Sequence, residues 1–145
     1  MIKRSAVALL VLCATADATR ADAFLCAAQS ATGLAWAKER WQAKSLDTAD
    51  RIYVIQQAGT ADYYTVTRIG DAAPVHYCPP LRPSDRTLLL ICGGLGSGFT
   101  FSSRTLRFQE NYGIGYVGGG EGGANFPYLL IGKCTRLDLR GVLRD

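Results

Sequence analysis

The chain has 145 residues, of which 16 are basic and 12 are acidic, and 48% of its residues are hydrophobic. A length of this order suits one domain and is short for two. The net charge of +4 is ordinary for a soluble domain, so it gives no argument for binding to nucleic acid.

Residues 1–23 have the pattern of a secretory signal peptide. Two basic residues precede an apolar run, and Ala21 and Ala23 supply small side chains at the two positions that a signal peptidase reads. The apolar run is too short for a transmembrane anchor. We therefore expect export to the periplasm or the exterior, with residues 24–145 folding as a single β domain.

Four cysteines remain in this predicted mature chain, namely Cys26, Cys78, Cys92 and Cys134. An even number in an exported protein predicts two disulfides. A zinc site would be the alternative, but the cysteines show no CxxC spacing and His76 is the only histidine. We therefore expect no metal.

The mature chain begins with residues typical of strands. Residues 24–26 can form a first strand. Residues 34–46 fit a hairpin with Trp36 and Trp41 on either side of a charged turn, and they fit an amphipathic helix nearly as well. We favour the hairpin because everything downstream is typical of strands.

The middle of the chain contains three runs rich in β-branched and aromatic residues. Residues 52–55 and 63–67 predict a hairpin, and residues 75–78 predict a further short strand. This strand stops at Pro79, which cannot donate a hydrogen bond to a neighbouring strand. Three of the five prolines lie in residues 79–83, so we expect the connection from there to Leu88 to be a stiff loop.

The last third of the chain alternates short apolar runs with glycine or polar turns. Residues 88–92 are continuously apolar, as expected of a buried strand. Residues 112–117 alternate tyrosine or isoleucine with glycine and also predict a strand. The tail, residues 135–145, has few apolar partners and is expected to fray.

Together these runs predict an all-β fold, a single small antiparallel β-barrel or sandwich of about eight short strands. If the sheet closes on itself, its first and last strands are neighbours, which brings Cys26 to Cys134. Cys78 and Cys92 flank the proline-rich loop and should lie at adjacent strand ends. We therefore predict the disulfides Cys26–Cys134 and Cys78–Cys92.

A glycine-rich segment matches the spacing of a dinucleotide-binding motif. Gly118, Gly120 and Gly123 satisfy GxGxxG, but the motif requires a following helix whose N-terminal amides hold a pyrophosphate. Here Asn125 and Pro127 lead into another predicted strand. We interpret the segment as a flexible hairpin loop and expect no cofactor.

Catalytic groups are sparse. His76 lies between Val75 and Tyr77 and is interpreted as an ordinary strand residue. A glycosidase would need two carboxyl groups flanking the substrate. Glu110 with Asp138 or Glu121 could supply them, although nothing in the spacing selects these residues. We predict no catalytic residues, and an envelope glycan hydrolase stays as an alternative.

Aromatic residues are the more suggestive feature. Tyrosine and tryptophan contribute much of the energy at protein interfaces, and they also line carbohydrate sites. The candidate binding residues, taken from predicted strands and turns, are Tyr63, Tyr64, Tyr112, Tyr116 and Arg104.

The chain resembles a group of small secreted proteobacterial proteins that have no assigned activity. The resemblance rests on CGGLGSGFTFSSRTLRFQENYGIGYVGGGEGGANFPYLLIGKC, from Cys92 to Cys134, and on FLCAAQSATGLAW near the start. More loosely, an exported, tyrosine-rich β domain with two disulfides is similar to the periplasmic inhibitors of C-type lysozyme, which are small antiparallel barrels. Their inhibitory loop carries Ser-Gly-x-x-Tyr, whereas here Ser97 and Gly98 precede Phe-Thr-Phe.

These expectations combine into a functional hypothesis. We expect a secreted or periplasmic binding module without enzymatic activity, which recognises a protein or a glycan of the envelope or the exterior. A protein similar to the lysozyme inhibitors is one alternative, and an envelope glycan hydrolase is the other.

Overall fold

The computed structural model describes residues 22–59, 62–83, 87–119 and 125–138. These residues form ten strands and one short helix. In chain order the elements are β1 (Ala23–Ala37), β2 (Arg40–Ser45), β3 (Ile52–Gln57), β4 (Tyr64–Arg68), β5 (His76–Cys78), β6 (Pro80–Leu81), β7 (Leu89–Gly94), β8 (Ser97–Ser102), β9 (Arg107–Tyr112), α1 (Ile114–Val117) and β10 (Tyr128–Leu137). The predicted all-β class is confirmed.

The strands form one antiparallel sheet that curls into a nearly closed barrel. Its order is β5-β4-β3-β1-β10-β9-β8-β7-β6, and β2 pairs with β1 away from this path. The first and last long strands, β1 and β10, are neighbours, with Cys26 directly opposite Cys134. The predicted barrel architecture is therefore confirmed.

The barrel closes through a bend in the chain at Pro79. Before the bend β5 pairs with β4, and after it β6 pairs with β7. One continuous segment thus joins the two ends of the sheet. The prediction of a loop over residues 79–83 was wrong in part, because Pro80 and Leu81 pair with Leu90 and Leu89. Proline is tolerated there because β6 lies at the end of the sheet order, where a missing N–H leaves no central ladder broken.

Alternate side chains of the strands fill the barrel, as the two-residue period of a strand requires. Phe24 packs against Phe101 with ring centres 4.7 Å apart, and Phe99 stacks on Phe108 at 5.4 Å. Burying one large apolar side chain stabilises the fold by about 1.5–3 kcal/mol. The largest fully buried side chains are Tyr53, Tyr64, Phe24, Phe99, Phe101, Ile55, Leu88, Leu90, Leu130 and Val66.

Both predicted disulfides are confirmed. Cys26–Cys134 joins β1 to β10, and Cys78–Cys92 joins β5 to β7. The first reinforces strands that already pair along their length. The second crosses the seam where the barrel closes.

Residues 34–46 form a hairpin, as we favoured, and not a helix. The 15-residue strand β1 continues past the barrel neighbour β3 and pairs with β2 over its second half. Its register against β10 shifts between Ala28 and Ser30, so Gln29 is an extra residue that forms a bulge. A bulge re-aims the side chains around it.

The expected strand over residues 112–117 was wrong beyond Tyr112. Tyr112 pairs with Ser97 at the start of β8 and with Tyr128 at the start of β10. Past this point none of the described strands lies alongside, and the backbone forms local hydrogen bonds instead, such as Gly118 N–H to Ile114 O at 2.7 Å. Gly115 permits the resulting turn α1, because a Cβ there would lie 1.9 Å from the carbonyl oxygen of Asn125.

Residues 135–137, predicted to fray with the tail, belong to β10 and pair with β1. Several other predictions lie outside the described residues: most of the signal peptide, the tail beyond residue 138, and Gly120, Glu121 and Gly123 of the glycine-rich segment. Among the helices described, none has the length and apolar character needed to cross a membrane.

Candidate functional site

Three aromatic rings from two separate elements meet on the surface beside the β1–β2 hairpin. Trp36 on β1 lies directly opposite Trp41 on β2, and their ring centres are 5.5 Å apart. Tyr116 of α1 packs edge-on against Trp41, also at 5.5 Å. Tyr116 remains 57% exposed, and both tryptophans are partly exposed. We call Trp36, Trp41 and Tyr116 the aromatic patch.

The turn that carries the patch has a strained backbone. Lys38 and Glu39 form the two-residue loop, with φ angles of +52° and +58°. Such hairpin loops usually contain Asn-Gly or Asp-Gly, because positive φ is costly for other residues. The left-handed region costs an ordinary side chain about 1–2 kcal/mol. Strain of this kind tends to occur at functional sites.

A shallow apolar groove lies beside the patch. It encloses about 260 Å³ and is bounded by the hairpin on one side and the start of β10 on the other. Leu34 and Leu129 line it, and both are substantially exposed. The main chain of residue 127 closes one end, since Leu34 N–H donates to Pro127 O at 2.9 Å.

A second cluster of polar groups lies inside the barrel and is centred on Glu110. Its carboxylate accepts hydrogen bonds from the hydroxyls of Tyr53 and Tyr128, the latter at 3.1 Å. Nε2 of the buried His76 lies 3.9 Å from Glu110 Oε1 and makes no hydrogen bond within the described residues. The guanidinium of Arg51 covers the ring of Tyr128, 5.5 Å from its centre.

The electrostatics of this cluster keep Glu110 ionised. Burial by itself raises the pKa of Glu110, but the adjacent imidazole of His76 and the two tyrosine hydroxyls outweigh it and hold the pKa below the ordinary value of 4.5. Burial, followed by the negative charge of Glu110, raises the pKa of Tyr128 to about 12. Burial and the hydrogen bond to Glu110 raise the pKa of Tyr53 further.

This arrangement does not suit glycoside hydrolysis by Glu110 paired with Asp138, whereas Glu121 lies outside the described residues. A general acid needs a raised pKa, whereas the pKa of Glu110 is lowered. Asp138 follows the far end of β10, whereas Glu110 pairs with Leu130. At a rise of about 3.3 Å per residue, about 25 Å of strand separates the two positions. A catalytic pair needs about 5 to 9 Å.

The five candidate binding residues do not converge on one site. Tyr116 belongs to the aromatic patch, and Tyr112, which stacks on Tyr128 with ring centres 5.7 Å apart, lines the groove beside it. Tyr63 is exposed and lies near Tyr77 on a different wall of the barrel. Tyr64 is only 1% exposed, so it is a core residue with no surface to offer a ligand.

Arg104 lies at the opposite end of the barrel from the aromatic patch. It is in the turn between β8 and β9, where its Nε donates to Thr87 Oγ1 at 3.2 Å. The prediction omitted Trp36 and Trp41 from the site, although a signal for them existed. Two residues that flank a two-residue hairpin loop at equal distance must face each other on one side of the sheet.

Within the described ranges, His, Cys, Asp and Glu side chains form no group of three or more that could hold a metal ion. Comparison with known proteins adds no assignment: no family model matches the chain, and neither the curated proteins nor the solved structures contain a match. The candidate site therefore rests on the geometry of this chain alone.

Proposed function

We propose that the protein is an exported binding module without enzymatic activity, which recognises a glycan of the cell envelope or the exterior through the aromatic patch. The carrying observation is the patch itself: Trp36, Trp41 and Tyr116 form one partly exposed surface beside a strained hairpin. Aromatic rings provide large apolar contact area together with a polar tip, which suits ligands whose own surface is mixed.

Two features support a glycan in preference to a small apolar ligand. The groove beside the patch is shallow and open, so it suits one side of an extended chain better than an enclosed molecule. Its lining includes Thr32 as well as Leu34 and Leu129, which places a hydroxyl beside apolar groups. Both disulfides support export, because disulfides persist in oxidising compartments.

The two tryptophans of the patch provide a direct assay. They are the only tryptophans in the chain, so intrinsic fluorescence reports on the hairpin alone. We expect a saturable change in emission when the exported protein is titrated with soluble polysaccharides, such as polygalacturonate and dextran. Tyr116→Ala keeps both fluorophores and should weaken binding about tenfold, in line with the loss of one well-placed aromatic contact.

Tyr77→Ala is the matched control, because Tyr77 is an exposed aromatic residue of β5 outside the patch. It should leave the affinity unchanged. The same titration with a C-type lysozyme tests for a protein partner. If lysozyme binds and no polysaccharide does, or if Tyr116→Ala binds polysaccharide as tightly as the unaltered protein, the glycan proposal is wrong.

A further inference from the structure

A second groove, of about 410 Å³, lies on the outer surface of the barrel across β8, β9, β10 and β1. Its polar lining comes from four strands whose outward side chains meet there: Gln29, Thr100, Ser102, Arg107, Gln109 and Lys133. We call these residues the cationic groove. Two amides, two hydroxyls and two cations thus surround one concave surface.

The two cations of the groove are close enough to repel each other. Arg107 on β9 lies directly opposite Lys133 on β10, and both side chains are exposed. Directly opposed side chains have Cβ atoms about 5 Å apart, and like charges in these positions repel. Neither cation takes part in any ion pair found within the described residues. An anion between them would relieve the repulsion.

The backbone of β1 brings a further polar group to this groove. The bulge between Ala28 and Ser30 inserts Gln29, and the side chain of Gln29 lines the groove. Beneath it Gly132 keeps the strands close, because a Cβ there would lie 2.3 Å from Ala27 O and 2.4 Å from Phe108 Cε1. Bulges of this kind commonly re-aim side chains at binding sites.

The cationic groove and the groove beside the aromatic patch lie on the same outer face of β10. Leu129, Ile131 and Lys133 alternate on the outer side of β10. Leu129 lines the groove beside the patch, and Ile131 lines the cationic groove. The strand rise puts about 13 Å between Leu129 and Lys133. One extended ligand could therefore contact both regions.

From these observations we infer that the ligand is an acidic glycan, whose carboxylate, phosphate or sulfate group binds between Arg107 and Lys133 while its hydroxyls meet the amides and hydroxyls of the cationic groove. This inference rests on the proposed function and names its ligand class. Charge complementarity carries it, since planar guanidinium and ammonium groups are the usual partners of such anions.

The test compares acidic and neutral forms of one polymer. Polygalacturonate is set against its methyl ester, and dextran sulfate against dextran, so each pair differs in charge. We expect at least one acidic form to bind about tenfold more tightly than its neutral counterpart, with affinity falling between about 20 and 200 mM salt as screening increases. The arm with the larger preference identifies the acid group.

Variants then locate the effect. Arg107→Gln with Lys133→Gln should remove the preference, so that the acidic and neutral forms of each polymer bind with equal affinity. Arg68→Gln with Arg82→Gln also removes two positive charges, from residues outside the groove that pair with Asp71 and Tyr64, and should keep the preference. Lys133→Arg retains the charge and should also keep it. Thermal unfolding of each variant confirms that it is folded.

The outcomes separate the two proposals. If acidic and neutral forms bind equally, or if the double variant at Arg107 and Lys133 keeps the preference, the acidic ligand is ruled out and glycan binding by the aromatic patch stands. If none of the four polymers binds, the proposed function fails together with this inference.

Discussion

Cys78 and Cys92 are joined across two strands that share no backbone pairing in the described part of the chain. Cys78 ends β5, which pairs with β4, and Cys92 lies in β7, which pairs with β6 and β8. Cys26 and Cys134, in contrast, face each other in a continuous ladder between β1 and β10. The two disulfides therefore have different structural tasks.

Variants that lack one disulfide each should differ in how much stability they lose. In the chain-entropy model the loss of a long crosslink costs about 4.7 kcal/mol and the loss of a short one about 3 kcal/mol. The sequence separations are 108 for Cys26–Cys134 and 14 for Cys78–Cys92. We expect Cys26→Ser with Cys134→Ser to lower the free energy of unfolding more than Cys78→Ser with Cys92→Ser, as measured by urea denaturation.

Hydrogen exchange should show that the loss of Cys78–Cys92 has the larger local effect, although it has the smaller effect on the free energy of unfolding. Without Cys78–Cys92, the amides of β5 and β7 should lose protection first, because within the described residues the seam is then closed by β6 and the bend at Pro79 alone. Without Cys26–Cys134, the ladder of β1 and β10 should keep its protection relative to the rest of the barrel. Equal loss of protection throughout the barrel in the seam variant would contradict this assignment.

Much of this fold could be predicted from the sequence, because the strands alternate with a period of two and the cysteines are few. The closure at Pro79 could not, since proline normally ends a strand and its role depends on which neighbour each half of the segment pairs with. The end of β9 at Tyr112 could not either. It is set by where β8 and β10 begin, which lies far away in the sequence.

The candidate functional surface was harder to predict for the same reason. Aromatic composition indicated binding, but it does not distinguish Tyr64, which is buried, from Tyr116, which is exposed. Arg107 and Lys133 are 26 positions apart, and only the register of β9 against β10 makes them neighbours. A binding site built across strands requires the register before its members can be chosen.

Replacing the two residues of the strained hairpin loop should stabilise the protein. Lys38→Asn with Glu39→Gly places residues that favour positive φ in the loop, so we expect the free energy of unfolding to rise by about 1–2 kcal/mol. Ala49→Gly is the control, because Ala49 is exposed and is not among the residues with positive φ. It should lower stability slightly. An unchanged or lower stability of the loop variant in thermal unfolding would show that the loop is not strained.

The hydrogen bond between Tyr53 and Glu110 should be important for stability. Tyr53→Phe leaves a buried, charged carboxylate oxygen without one of its donors, so we expect a loss of about 1.5–3 kcal/mol. Tyr77→Phe removes the same hydroxyl from an exposed position and should cost little. Urea denaturation of the two variants makes the comparison, and equal losses would show that the buried bond contributes nothing.

Acid should weaken the fold through Glu110. Because its folded pKa lies below the ordinary value of 4.5, the unfolded chain takes up this proton first as the pH falls. The stabilisation is therefore complete well above pH 4.5 and is lost as the pH falls through the folded pKa. Glu110→Gln should be less stable at neutral pH, and the difference from the unaltered protein should shrink in acid. A difference that stays constant with pH would contradict the lowered pKa.

Alkaline pH should lower the stability of the fold through Tyr128. The pKa of Tyr128 is raised from 10.0 to about 12, so the unfolded chain releases this proton before the folded chain does. Stability is then complete below pH 10 and falls as the pH rises towards 12. Tyr128→Phe should make the decline shallower. Tyrosinate absorbance during an alkaline titration provides an independent measurement, with Tyr128 ionising late.

Cleavage of the predicted signal peptide between Ala23 and Phe24 would have a structural consequence that can be measured. Ala23 is the first residue of β1 and is buried, and Asp22 pairs with Arg136 at 3.0 Å. Cleavage at this bond would remove both residues and leave a new amino group opposite Arg136, which pairs with Phe24 in the β1–β10 ladder. The small residues Ala21 and Ala23 are the ground for expecting the exported protein to begin at Phe24. Intact-mass analysis measures its N-terminus, and Ala21→Gln with Ala23→Gln should block processing, whereas Ala27→Gln should not.

An N-terminus at Asp22 would keep the ion pair with Arg136 and disprove the predicted site, and a retained Met1 would disprove the signal peptide itself.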